Sequence, residues 1–137
     1  MKFPYSFLRS PSGHPIVPVL MEQGGQRRLI SGLLDTGADV TLIPYRHALG
    51  LGVVLGLPRT IGTATGQLVS YRPGMVTLEL RSISEAIRWR SEVGFTAAAL
   101  SIPLFGDAGF LEFFRSEFDG ELREAEFTPK LKLPRIA

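Results

Sequence analysis

The sequence predicts an all-β domain, on three observations. Fifteen glycines and ten prolines are spread along 137 residues, a density that suits many turns and short strands. Apolar and polar residues alternate in several runs, as in Met75-Val76-Thr77-Leu78-Glu79-Leu80. Turn-forming pairs such as Gly24-Gly25 and Asp119-Gly120 stand between such runs. Apolar residues make up 45% of the chain, which excludes a disordered chain, and the length fits one domain with a sizeable core.

Taken in order, Pro15–Met21 and Arg28–Leu34 are apolar runs joined by a Gly-Gly turn, and so a first hairpin. Pro18 within the first run has no amide hydrogen and calls for an edge position or a bulge. Val40-Thr41-Leu42-Ile43 is rich in β-branched residues and reads as the next strand. Pro44–Gly50 reads as a short helical turn, with proline at its start and glycine at its stop. The glycine-bracketed Gly62–Gly66 joins Pro58–Ile61 to Gln67–Tyr71 as a second hairpin, and Ile87–Phe95 is the expected partner of Met75–Leu80. In Gly109–Phe114 the aromatic residues are too crowded for simple alternation, which predicts one short helix. Phe114–Phe118 and Arg123–Phe127 form a closing hairpin around Asp119-Gly120. The tail Thr128–Ala137, with two prolines, reads as loosely ordered.

Composition removes several function classes. Without cysteine there are no thiol nucleophiles, disulfides or thiolate metal sites. His14 and His47 lack metal-ligand spacing, so neither a metal nor any cofactor is expected. The net charge of +2 is spread among interleaved acids. Arg88-Trp89-Arg90 on a strand would present its two arginines on one solvated face, so no nucleic-acid partner is expected. No apolar stretch is long enough to span a bilayer, and Met1–Tyr5 makes a poor signal peptide. The expectation is a cytoplasmic protein without a membrane partner.

The stretch that carries chemistry is Leu33-Leu34-Asp35-Thr36-Gly37-Ala38-Asp39-Val40-Thr41-Leu42-Ile43-Pro44. An acid ends an apolar strand, a hydroxyl residue and a glycine follow, and a second apolar strand begins at once. Such a loop holds a carboxylate on a tight turn anchored at both ends in the core. Gly37 permits the close backbone approach that two such loops would need to bring their acids together.

Leu33–Pro44 resembles the active-site segment of the retropepsin-like aspartic proteases, the bacterial single-domain members included. The similarity continues in Gly62–Gly66, where that family has its flap, and in Val93-Gly94-Phe95-Thr96. It extends through Pro103–Phe114 and Phe118-Asp119-Gly120, so that residues 15–128 of a single domain spanning 1–137 are covered in the family's order. The resemblance implies a small closed barrel of the retropepsin type, with one short C-terminal helix.

It also implies an aspartic endopeptidase that hydrolyses peptide bonds with a water activated by two carboxylates. The chain holds one Asp-Thr-Gly. Asp107-Ala108-Gly109 lacks the hydroxyl residue, so the second acid would come from a homodimer. On this resemblance Asp35, Thr36 and Gly37 form the catalytic loop, with Thr36 bonding across the dyad axis. Ala38 and Asp39, together with Gly62, Thr63, Ala64, Thr65 and Gly66, would bind the peptide or protein substrate. Gly106 would pack behind the loop, and apolar pockets would come from Val40, Ile61, Val69 and Pro103–Phe105.

One position departs from the pattern. Many viral members have an arginine after the equivalent of Gly106, and here Asp107 stands there, leaving Arg9 as the stand-in partner for Asp39. Two other readings stay open at this point. One is a non-catalytic peptide-binding or dimerisation module on the same barrel, favoured by Asp107 and the polar tip Thr63-Ala64-Thr65. The other is a plain small barrel in which Asp35 only caps a turn.

Overall fold

Burial alternates along most strands of this chain, and the alternation dictates which face of each sheet meets the core. The computed structural model describes residues 1–63 and 65–137. Among these, ten strands follow one another: β1 (Lys2–Pro4), β2 (Ile16–Gln23), β3 (Gln26–Leu34), β4 (Leu42–Pro44), β5 (Arg59–Gly62), β6 (Leu68–Arg81), β7 (Ala86–Thr96), β8 (Leu104–Phe105), β9 (Phe114–Asp119) and β10 (Glu124–Pro129). The chain is all-β, as its composition predicts.

A seven-stranded sheet runs in the order β2-β3-β8-β4-β7-β6-β5, and an extra pairing of β2 with β6 links it back on itself. The first hairpin pairs Ile16 with Leu33 through Gln23 with Gln26, around Gly24 and Gly25. Both glycines have positive φ, 57° and 78°, as a two-residue hairpin turn requires. Pro18 is exposed, and β6 pairs only with Leu20–Glu22, so the proline faces an unpaired edge. The long pairing of β6 with β7 buries Val76, Leu78 and Leu80 of one strand and Ile87 and Trp89 of the other. Trp89 is fully buried while Arg88 turns the other way, to Glu22 and Glu79.

A second sheet, β1-β10-β9, joins the first residues to the closing hairpin. Between the sheets lies an aromatic cluster of Trp89, Phe105, Phe110, Phe114 and Phe127, with neighbouring ring centroids 4.7 to 6.0 Å apart. Each such ring contributes about 1.5–3 kcal/mol by burial. The indole Nε1–H of Trp89 donates to the carbonyl of Gly109 at 3.1 Å, which satisfies the one polar group the ring carries.

This cluster explains the main correction to the expected elements. The helix predicted over Gly109–Phe114 is only a 3-10 turn, Leu111–Phe113. Gly109 enters it at φ 94°, and Phe114 is already extended and begins β9. Crowded aromatics here mark rings converging on one core from an irregular backbone, not one face of a helix. Pro44–Gly50 is likewise a single 3-10 turn, Tyr45–His47. The strand expected at Val40–Ile43 starts two residues later, because Val40 is used in an isolated parallel bridge to Ala108. The tail is not loose either: Leu133 is buried, and the amide of Ile136 donates to Arg88 O at 3.0 Å. Among the described residues no helix is long and apolar enough to cross a membrane.

Candidate active site

The turn after β3 is built from its own backbone. Leu34 is buried, and the amide of Asp35 donates to Phe105 O at 3.1 Å, which fixes where the strand stops. The chain then reverses, with Ala38 N donating to Asp35 O at 3.1 Å. Oδ1 of Asp35 accepts from Gly37 N at 2.9 Å, so the carboxylate is oriented by the turn it starts. Asp35 is half-buried, whereas Thr36, Gly37 and Asp39 are exposed.

Gly106 closes the back of the turn. A Cβ there would lie 2.5 Å from the carbonyl oxygens of both Ala38 and Val40, so only glycine lets these backbones meet. The following amides use the contact: Asp107 N donates to Ala38 O at 2.8 Å and Ala108 N to Asp39 O at 2.9 Å. Parallel pairing on each flank, β3 with β8 and β4 with β7, anchors the turn on both sides.

The second hairpin lies across this turn. Ile61 pairs with Val69 and Gly62 with Leu68, and Thr63 N donates to Gln67 O at 2.8 Å. At the tip, the Thr63 and Thr65 hydroxyls are 3.0 Å apart and Gly66 has φ 82°. Turn and hairpin enclose a cleft of about 100 Å³. Asp35, Gly37, Ala38 and Asp39 line it from the turn, Ile61, Gly62 and Thr63 from the hairpin, and Leu42 and Leu104 between them.

Of the residues singled out in the sequence, Asp35, Gly37, Ala38, Asp39, Gly62 and Thr63 therefore share one cleft. Thr36, Thr65 and Gly66 do not line it, and Ala64 lies outside the described residues. Of the expected pocket residues, Ile61 and Leu104 line it, and Val40, Val69, Pro103 and Phe105 do not. Leu42 was not anticipated. Its signal was its place directly beside Leu104, its partner in the antiparallel contact of β4 with β8, which no local pattern reveals.

Electrostatically the cleft is acidic. Asp35, Asp39 and Asp107 form no salt bridge among the described residues. Arg9, the expected stand-in partner of Asp39, instead donates to Ser101 Oγ at 3.1 Å. A larger cavity, about 770 Å³, lies elsewhere, between β1 and the β6–β7 turn. Its charged groups are engaged: Lys2 pairs with Glu124 and Glu126, Arg81 with Glu79, and Glu85 with the Met1 ammonium. Size favours that cavity, whereas carboxylates outside any ion pair among the described residues make the smaller cleft the candidate site.

No family model matches the chain, and no curated protein matches it. Among solved structures, the EIAV protease complexed with the inhibitor HBY-793 is similar, with 22% sequence identity and a TM-score of 0.46 over 74% of this chain and 86% of that one.

Proposed function

We propose that this chain is one half of a retropepsin-like aspartic endopeptidase, completed by a second copy so that each half contributes one Asp35. The observation that carries the reading is the position of that carboxylate. It stands on a rigid turn, braced from behind by Gly106, at the floor of a cleft roofed by a hairpin. Thr36 points out of the same turn and is exposed, as a residue reserved for a partner loop would be.

In the completed site two carboxylates share one proton. The ionised one takes a proton from a water as that water attacks the peptide carbonyl carbon. The protonated one donates to the carbonyl oxygen and so stabilises the tetrahedral intermediate. Proton transfer to the peptide nitrogen then lets the carbon–nitrogen bond break, giving a free acid and a free amine. The hairpin tip, Gly62–Gly66, closes over the extended substrate and keeps bulk water away from the acids. Ala38 and Asp39 bind the substrate backbone beside the cut, and Leu42, Ile61 and Leu104 favour apolar side chains next to it.

The test is titration of an Asp35→Asn chain into a fixed amount of wild-type protein that cleaves apolar-flanked peptides. Mixed dimers hold one ionisable Asp35 instead of two, so turnover falls towards zero as the variant comes into excess. The Asn side chain keeps an acceptor for Gly37 N, so the variant folds and competes. Turnover that stays constant through the titration, with mixed dimers demonstrated, would falsify the half-site assignment. A wild-type dimer that binds such peptides but never cleaves them points instead to a peptide-binding module.

A further inference from the structure

A row of apolar side chains links the cleft to a second pocket. Leu42 is the register partner of Leu104, Leu104 of Leu33, and Leu33 of Ile16, across four neighbouring strands. Register partners share one face of a sheet, so the four stand side by side. The next residues along three of these strands, Val17, Leu34 and Phe105, are buried on the opposite face. Leu42 and Leu104 line the cleft, whereas Leu33 and Ile16 line a pocket of about 240 Å³ that Arg9, His14 and Ile102 complete. With strands about 4.8 Å apart, Ile16 lies about 10 Å from Leu104, roughly the span of three extended residues.

The two ends of the row differ in charge. Asp35 and Asp39 line the cleft, while the pocket is lined by an arginine and a histidine and, among the described residues, by no acid. Neither basic group enters an ion pair among the described residues. Arg9 is exposed and donates one hydrogen bond, to Ser101 Oγ, which leaves most of the N–H groups of its guanidinium for a ligand. His14 is held by its backbone. Its amide donates to Ser6 O and its carbonyl accepts from Ser6 N and Ile16 N, each at 2.8 Å. The imidazole therefore stands at a fixed place and carries an N–H donor in either protonation state.

We propose that this pocket takes an acidic side chain of the substrate, two to four residues from the bond that is cut. The proposal rests on the endopeptidase reading and deepens it by naming the substrate class: peptides apolar at the cut, with a glutamate or aspartate nearby. The carboxylate accepts from the Arg9 guanidinium and from the His14 N–H, while its stem lies on Ile16, Leu33 and Ile102. The same side chain placed in the cleft would face Asp35 and Asp39, so the two ends of the row sort a peptide by charge and set its register.

The test uses acetylated, amidated peptides with one apolar pair and glutamine at the second to fourth places on either side. A single glutamate is then moved through those places. Binding is measured on the Asp35→Asn chain, which leaves the peptide whole, and cleavage on the wild type. Glutamate at one of these places raises both affinity and kcat/KM about fivefold or more over glutamine. Arg9→Gln removes the difference, and Arg9→Glu reverses it, so that lysine there is preferred to glutamate. Arg9 is exposed, and circular dichroism confirms that both variants fold. An arginine with only a structural role would change all the peptides alike. Equal affinity for the glutamate and glutamine peptides at every place, or a preference untouched by Arg9→Glu, overturns the proposal. Cleavage without the preference does so too and leaves the half-site reading standing. Binding with the preference, but without cleavage by the wild type, removes that reading and leaves the pocket assigned. A chain that neither binds nor cleaves any of these peptides overturns both.

Discussion

Gly106 and Ala38 are packed backbone to backbone: a Cβ on residue 106 would lie 2.5 Å from the Ala38 carbonyl oxygen and 2.9 Å from its Cβ. Neither atom is the end of a flexible side chain, so the contact cannot yield without moving the Asp35 turn. Gly106→Ala is therefore expected to destabilise the fold by about 1–3 kcal/mol, the usual cost of overpacking a tight site. It also displaces the carboxylate by separating the Asp107 amide from Ala38 O, now 2.8 Å apart. Urea unfolding of the variant checks the first effect, and an unchanged midpoint would mean that the turn relaxes freely.

What the sequence revealed follows from how local each signal is. The hairpins at Gly24-Gly25 and Asp119-Gly120 were legible because turn residues and alternation lie within a few positions of one another. Strand β1 was not, since three residues carry no period and its partner begins at Glu124, far along the chain. The helix misassigned at Gly109–Phe114 failed for a similar reason, because its rings answer to Trp89 and Phe127 on distant strands. At the cleft, Asp35 to Asp39 are contiguous and were readable as a unit. Leu42 and Leu104 become neighbours only through β-pairing, so only one wall of the cleft was legible from the turn itself.

A pH effect is expected away from the cleft. His47 is held below its ordinary value, first by burial and then by the positive charges of Arg46 and Arg28. Its Nε2 is buried without a hydrogen-bond partner among the described residues, while Arg28 donates to the His47 carbonyl at 3.0 Å. The folded protein thus takes up a proton here less readily than the unfolded chain. Stability from this group is present above the ordinary imidazole value of about 6.5 and is lost as pH falls through the lower folded value. Urea midpoints of the wild type should drop between pH 7.5 and 5.5, with a smaller drop in His47→Gln. Equal drops in both proteins would remove His47 as the cause.

The last prediction joins Thr36 to the concentration dependence of turnover. Thr36 is exposed, and its hydroxyl has no hydrogen bond among the described residues, so Thr36→Ala should change the stability of the isolated chain by less than about 0.5 kcal/mol. In the proposed dimer the hydroxyl reaches the opposite loop, and symmetry removes two such bonds at once. At about 1 kcal/mol for each bond, the dimer constant weakens roughly thirtyfold. Specific activity of the wild type should rise with protein concentration until the dimer saturates. For Thr36→Ala the concentration at half-saturation moves upward by the same factor, and sedimentation on the same samples reports the matching shift. Two curves that superimpose would remove Thr36 from the interface. Turnover strictly proportional to concentration, at levels where sedimentation finds only monomer, would mean that one chain holds a whole site.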